Sequence, residues 1–75
     1  MLAIEFDAAE DLDLVHDHLE RKGYELEVQI VPQKRILVHD VDEARDLGPD
    51  TVGYAAAYGG TVIPDTELDR ETDYP

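Results

Sequence analysis

Three histidines are the residues of this sequence best suited to chemistry, because imidazole binds metals and transfers protons near neutral pH. Two of them, His16 and His18, lie two positions apart in a segment whose pattern predicts a helix. Side chains at that spacing point about 200° apart, so the pair cannot chelate one ion. We interpret His16 as part of the buried helix face, which His39 could meet only by facing inward. The pattern predicts no metal site and leaves a cleft near His16 as an alternative.

Acidic side chains are abundant, yet their spacing matches no binding motif. After Asp40, a calcium loop of the EF-hand type would need an acid and then a glycine where this chain has Ala44 and Arg45. The predicted strands carry Glu5, Glu25 and Glu27 on an open solvated face, which gives no desolvation to raise a carboxyl pKa for acid–base work. Ser and Cys are absent and no phosphate-binding glycine loop occurs. We therefore predict no cofactor and no nucleophilic catalysis.

The length and charge of the chain exclude several classes of protein. Its 75 residues are enough for one small domain. No run of about 18 apolar residues occurs, so we predict neither a secretory signal nor a membrane span. We therefore predict a cytoplasmic location. The 6 basic residues are dispersed, which predicts no binding to nucleic acid.

The excess of acid is the strongest compositional feature. The chain carries 19 acidic residues and a net charge of −13, distributed along its length. This composition resembles that of halophilic microbes that accumulate salt, in which concentrated ions screen the self-repulsion of acidic surfaces. The alternative is an acid-rich protein with a specific cationic partner.

Hydrophobic periodicity predicts the first half of the domain. Alternation over residues 2–7 predicts a strand, and a stripe of apolar residues predicts a helix after it. Asp7 is the expected N-cap of that helix, with Glu10 as its capping-box partner, and Gly23 is the expected stop. Alternation then predicts a hairpin of strands near residues 24–30 and 36–38.

The register of this hairpin depends on the length of its loop. A loop with an even number of residues places His39 on the same face as Val28, whereas a three-residue loop places Ile36 and Val38 there. We favour Ile36 and Val38 facing inward. In that register Leu37 and Val41 face outward, on the open face of the sheet.

The second half of the chain has weaker patterns. A short turn near residues 43–47 ends at Gly48, Asp50 is the expected cap of a second helix, and residues 61–63 read as a last strand. We interpret Gly53 as allowing close helix approach. Residues 65–75 are acidic with too few apolar side chains to bury, so we predict a folded domain over residues 1–64 followed by an acidic flexible tail.

The element order predicts the fold class. Strand, helix, strand, strand, helix, strand is the order of a ferredoxin-like βαββαβ sandwich, an α+β fold with two helices on one face of an antiparallel sheet. The rival is a β-α-β-β meander whose last segment packs as a helix alone.

Two apolar features predict an interface. Leu37 and Val41 form a strip with Val31 on the open sheet face, and Tyr54 and Tyr58 share one face of the second helix. Our leading hypothesis is a non-catalytic interaction or regulatory module that forms a homodimer through these residues. The alternative is a small-ligand-binding protein or minor enzyme with a cleft near His16.

Overall fold

The structure, a computed structural model, describes residues 1–72 as an α+β domain, which confirms the predicted class. Strands and helices alternate irregularly, and the final helix follows directly after the last strand. In chain order the elements are β1 Leu2–Phe6, α1 Ala9–Arg21, β2 Leu26–Gln29, β3 Lys34–Val38, α2 Ala44–Leu47, α3 Pro49–Ala57, β4 Thr61–Ile63 and α4 Asp65–Thr72.

The four strands form one sheet in the order β2-β3-β1-β4. Strand β1 pairs antiparallel with both β3 and β4, and β2 pairs antiparallel with β3. The two central strands are therefore β3 and β1, while β2 and β4 form the edges. Three successive antiparallel pairs leave each strand with neighbours of opposite direction.

The hairpin register follows the inward prediction for Ile36 and Val38. Val28 pairs with Ile36, so both side chains lie on the same face of the sheet, and Ile36 and Val38 are fully buried. Five residues, 30–34, separate the paired residues Gln29 and Arg35, the last of them being the first residue of β3. The separation is longer than the predicted three residues but keeps the odd parity.

Helices α1 and α3 cover one face of the sheet. Leu12, Val15 and Leu19 of α1 are buried because they recur at the i, i+3, i+7 spacing that lines one side of a helix. They pack with alternate residues of β1 and β3, and Ala55 of α3 completes this layer. The main core therefore lies between the sheet and the pair α1 and α3.

Helix α4 lies against the opposite face. Its Leu68 is buried with Ala3, Leu37 and Ile63, and Met1 packs beside them. The expectation that residues 65–75 have too little to bury is wrong for Leu68, because the sheet itself supplies three apolar partners. The predicted boundary at residue 64 and the mobility of the segment stay predictions, and residues 73–75 lie outside the described residues.

Both major helices begin differently from the predictions. The N-cap position of α1 is Ala8, with no side-chain cap, so the capping box of Asp7 and Glu10 is wrong. Helix α3 begins at Pro49 because proline suits the first helical position, where its missing N–H costs nothing. The residue before it, Gly48, has φ +86°, a left-handed conformation that favours glycine. The predicted cap at Asp50 is therefore two residues too late.

Candidate functional site

The predicted apolar strip of Leu37, Val41 and Val31 does not form. Leu37 faces away from the main core as expected, but α4 covers it, so it is buried. Val41 is buried in the other cluster, between the sheet and the α1 and α3 layer. Val31 alone is exposed. Burial of Leu37 and Val41 removes the premise on which they were predicted as interface residues.

The predicted interface residues Tyr54 and Tyr58 lie in an aromatic cluster between α1 and α3. The Tyr54 ring stacks on the His18 ring, with centroids 4.1 Å apart and planes 12° apart. The ring centroids of Tyr54 and Tyr58 are 5.0 Å apart. Desolvation, followed by the charge of Tyr58, raises the pKa of Tyr54 above its usual 10.0. Both tyrosines are half-buried against the main core, so their rings already stabilise the monomer. Their role as an interface stays a prediction.

His18, rather than His16, is the histidine engaged between the helices. Its Nε2 is buried, and among residues 1–72 that atom has no hydrogen-bond partner. His18 follows the buried Val15 by three positions, so the helical periodicity could have shown that His18 lies beside the buried face of α1. The opposite edge of α1 carries His16, whose Nδ1 lies 3.6 Å from Glu20 Oε2.

His16 lies beside an exposed glutamate of its own helix. Its side chain is 28% exposed, and Glu20 is more exposed still. Within the described residues, no three His, Asp or Glu side chains lie close enough together to hold a metal ion. His39 is exposed and its Nε2 lies 3.6 Å from Glu27 Oε1, on the far side of the sheet from α1. The histidines are therefore not brought together.

Two surface cavities lie elsewhere in the fold, and His16 lines neither. The first has a volume of about 240 Å³ and adjoins the end of β1 and the β2–β3 loop. The second, about 380 Å³, is mostly apolar and lies where α2 meets α3. Their linings are Glu5, Phe6, Asp7, Pro32, Gln33 and Lys34 for the first, and Ala44, Arg45, Gly48, Pro49 and Val52 for the second.

One predicted surface glutamate proves to be structural. Glu5 Oε1 accepts a hydrogen bond of 3.0 Å from Nε of Arg35, and the two residues face each other across β1 and β3. The Arg35 side chain is only 10% exposed. A buried guanidinium needs a compensating carboxylate, so Glu5 stabilises the sheet and is not part of an open solvated face.

The largest exposed apolar feature lies at the β2 edge of the sheet. Val28, Ile30 and Val31 are 42%, 51% and 83% exposed, and Leu14 on α1, at 47%, is the other large apolar side chain exposed among the described residues. We call Val28, Ile30 and Val31 the edge patch. The alternation that predicted a strand near residues 24–30 included Val28 and Ile30, whereas β2 ends at Gln29. Only the strand order shows that this strand is at an edge of the sheet.

Backbone groups at this edge are also available. The N–H of His39 donates to the carbonyl of Glu25 over 3.0 Å, so Glu25 is hydrogen-bonded to β3. In an antiparallel pair such bonds alternate, which directs the groups of Glu27 and Gln29 toward β3 as well. The N–H and C=O groups of Leu26 and Val28 therefore point away from the sheet, and Ile30 follows the last residue of β2. An unpaired strand edge of this kind is a template for another strand.

None of the helices in the described part of the chain is long and apolar enough to cross a membrane. Comparison of the chain with protein-family models, curated proteins and solved structures gave no match.

Proposed function

We propose that this chain is a small, non-catalytic interaction module that acts in the cytoplasm as a homodimer. The observation that carries the proposal is the edge patch, because Val28, Ile30 and Val31 are exposed within four consecutive positions at and just after the edge strand β2. Exposed apolar residues concentrated in one region mark interaction sites, whereas single exposed ones need no explanation. A domain of this size also gains stability from association, since its own core is small.

The fold supports a ferredoxin-like assignment within this proposal. Read from β4, the strand order is β4-β1-β3-β2, and all neighbouring pairs are antiparallel. Helix α1 connects β1 to β2, and α3 precedes β4, with both helices packed in the main core. Helix α4 on the other face is an addition to that plan. Since this topology carries many unrelated functions, it does not itself favour one activity.

The acidic composition supports a cell interior rich in salt. A net charge of −13 on each copy opposes association, because like charges repel over about 10 Å at 0.1 M salt. At about 1 M salt this range falls to about 3 Å, so apolar contacts can determine whether two copies associate. We expect the dimer to be favoured by concentrated KCl.

A ligand-binding or catalytic role near His16 is the alternative, and it has less support. His16 lies beside an exposed glutamate and lines neither cavity. A catalytic histidine needs groups that orient it beside a bound substrate, and the contact of this one is with an exposed carboxylate of its own helix.

The experiment that tests the proposed function compares two apolar surfaces. The native mass of the parent chain, of Val31→Gln and of Leu14→Gln is measured by sedimentation equilibrium in concentrated KCl. Val31 belongs to the edge patch and Leu14 does not, although both side chains are exposed. We expect the parent and Leu14→Gln to dimerise alike, and Val31→Gln to dimerise more weakly. A monomeric parent chain at all concentrations would overturn the proposal.

A further inference from the structure

We infer that two copies of this chain associate by pairing β2 with β2, antiparallel, about a twofold axis at Val28. This inference rests on the proposed homodimer and specifies its interface. The pairing joins two four-stranded sheets into one continuous sheet, with α1 and α3 of both copies on the same side. A twofold dimer uses the same surface from each copy, so this surface must be complementary to itself.

The backbone of β2 meets that requirement. Leu26 and Val28 direct their N–H and C=O groups outward, because the alternate residues are bonded to β3. Ile30 directly follows β2 and would extend the strand by one residue in the dimer. With Val28 opposite Val28 of the second copy, Leu26 lies opposite Ile30. Every outward donor then faces an outward acceptor, which gives about six hydrogen bonds across the axis.

The side chains favour the same register. On one face Leu26, Val28 and Ile30 would contact only one another across the axis, and apolar cross-strand pairs stabilise a sheet. On the other face Glu27 would lie opposite Gln29 of the second copy. Glu25 would lie opposite Val31. No acid of β2 therefore faces an acid, although the chain as a whole carries −13.

Neighbouring twofold registers are less favourable. Centring the axis on Glu27 places that carboxylate opposite its own copy, and like charges directly opposite destabilise a strand pair. Centring it on Gln29 places Leu26 opposite Pro32, which has no N–H to donate. The sequence of this edge therefore selects Val28 as the centre.

The other sheet edge does not offer an equivalent surface. Strand β4 contains only residues Thr61–Ile63 and is followed at once by Pro64. Short strands and proline are features that protect sheet edges from pairing. Within the described chain, β2 is therefore the edge at which a second strand can bind.

A proline substitution tests the pairing directly. Val28→Pro removes an outward N–H while leaving the bonds from Glu27 and Gln29 to β3 available, since proline is tolerated where the N–H faces solvent. The matched control, Val28→Ile, keeps the donor and the apolar side chain. We expect Val28→Pro to be a folded monomer by circular dichroism and sedimentation equilibrium, and Val28→Ile to dimerise like the parent.

A charge change tests the register without relying on proline. Gln29→Lys would place an ammonium group opposite Glu27 of the second copy twice in each dimer, whereas Gln29→Glu would place a carboxylate there. Each cross-strand pair contributes modestly, so we expect the dissociation constant to fall by about 2- to 30-fold for Gln29→Lys and to rise for Gln29→Glu. The comparison is made at the lowest KCl concentration at which the chains fold, because salt screens these pairs.

The outcomes separate the inference from the proposed function. A parent dimer that Gln29→Lys tightens and Gln29→Glu weakens supports pairing at Val28, whether or not Val28→Pro folds. If the parent dimerises and neither the Gln29 substitutions nor a folded Val28→Pro changes the dissociation constant, the proposed function stands and this interface is overturned. A parent chain that is monomeric throughout overturns both.

Discussion

A single glycine is enclosed by the core at the point where α3 is followed by β4. A Cβ built on Gly60 would lie 2.8 Å from Cε2 of Phe6 and 2.9 Å from the carbonyl oxygen of Ala55. The second contact is with backbone, which cannot move aside cheaply. The close approach predicted at Gly53 is wrong, because a Cβ there would meet nothing within 4 Å. Gly60 is thus the glycine that packing requires.

These two glycines give a matched prediction. We expect Gly60→Ala to lower the free energy of unfolding by about 1–3 kcal/mol, the usual cost of overpacking. Gly53→Ala should raise it by about 0.5–1 kcal/mol, because alanine is the better helix former at an open helical site. Urea unfolding of the parent and both variants measures these changes. Equal effects of the two substitutions would contradict the crowding at Gly60.

The amino terminus of the 75-residue chain is held between two acids. The Met1 amine binds Asp42 Oδ1 and lies 3.3 Å from Asp65 Oδ1, at the start of α4. The hydrogen bond that the amine donates to Asp42 raises the pKa of the amine above 8.0, although desolvation opposes it. The folded state therefore favours the protonated amine. This contribution to stability is complete below pH 8 and is lost as pH rises through the higher pKa of the folded state.

We predict a corresponding loss of stability at alkaline pH. The melting temperature of the parent should fall between about pH 7 and pH 9.5 as the amine loses its proton. The fall should be only a few degrees, because the contact is exposed and partly screened. Asp42→Asn should flatten this dependence. Asp13→Asn, which removes the same charge from an exposed position on α1, should keep the parent's dependence. A parallel pH profile for Asp42→Asn and the parent would contradict the role of this contact.

The burial of a residue was predictable from the sequence where the hydrophobic periodicity of a single strand or helix determined it. The alternation of β3 placed Ile36 and Val38 in the core correctly, since one face of a strand must be buried. The crowding at Gly60 was not predictable, because it depends on where β1 lies beside α3 in three dimensions. The stacking of His18 on Tyr54 likewise required the packing of two helices distant in the sequence.

At the scale of elements, α4 is the main departure from the sequence prediction. Residues 65–72 carry one large apolar side chain, Leu68, in a strongly acidic segment. The composition of a segment shows what it can bury by itself. It does not show that Ala3, Leu37 and Ile63 leave an apolar site on the outer face of the sheet. This site is the physical reason that Leu37 is covered by the chain itself.

We predict that Leu68 attaches α4 to the sheet. Leu68→Ala should lower the free energy of unfolding by about 2 kcal/mol, the lower end of the usual range for a buried leucine in a small cluster. Thr66→Ala, at an exposed position of the same helix, is the control and should change stability little. Thermal unfolding followed by circular dichroism measures both. A Leu68→Ala variant as stable as Thr66→Ala would show that α4 does not stabilise the domain.

At the scale of the whole molecule, charge should control stability. A net charge of −13 on 75 residues produces strong repulsion in the folded state at low salt. We predict that the melting temperature rises steeply between about 0.1 M and 2 M KCl as the Debye length falls. Sucrose at equal osmolality, which does not screen charge, is the control and should stabilise the chain less. Equal stabilisation by KCl and sucrose would contradict a fold adapted to concentrated salt.

Self-association is our central proposal at this scale, and it rests on the edge patch and the unpaired β2 edge. The most direct test is the native mass of the unmodified chain by light scattering, measured across a range of protein concentrations in about 2 M KCl, where repulsion is screened. We expect the mass to approach twice the 8.4 kDa of one chain as concentration rises. A mass that stays at 8.4 kDa at every concentration would contradict self-association.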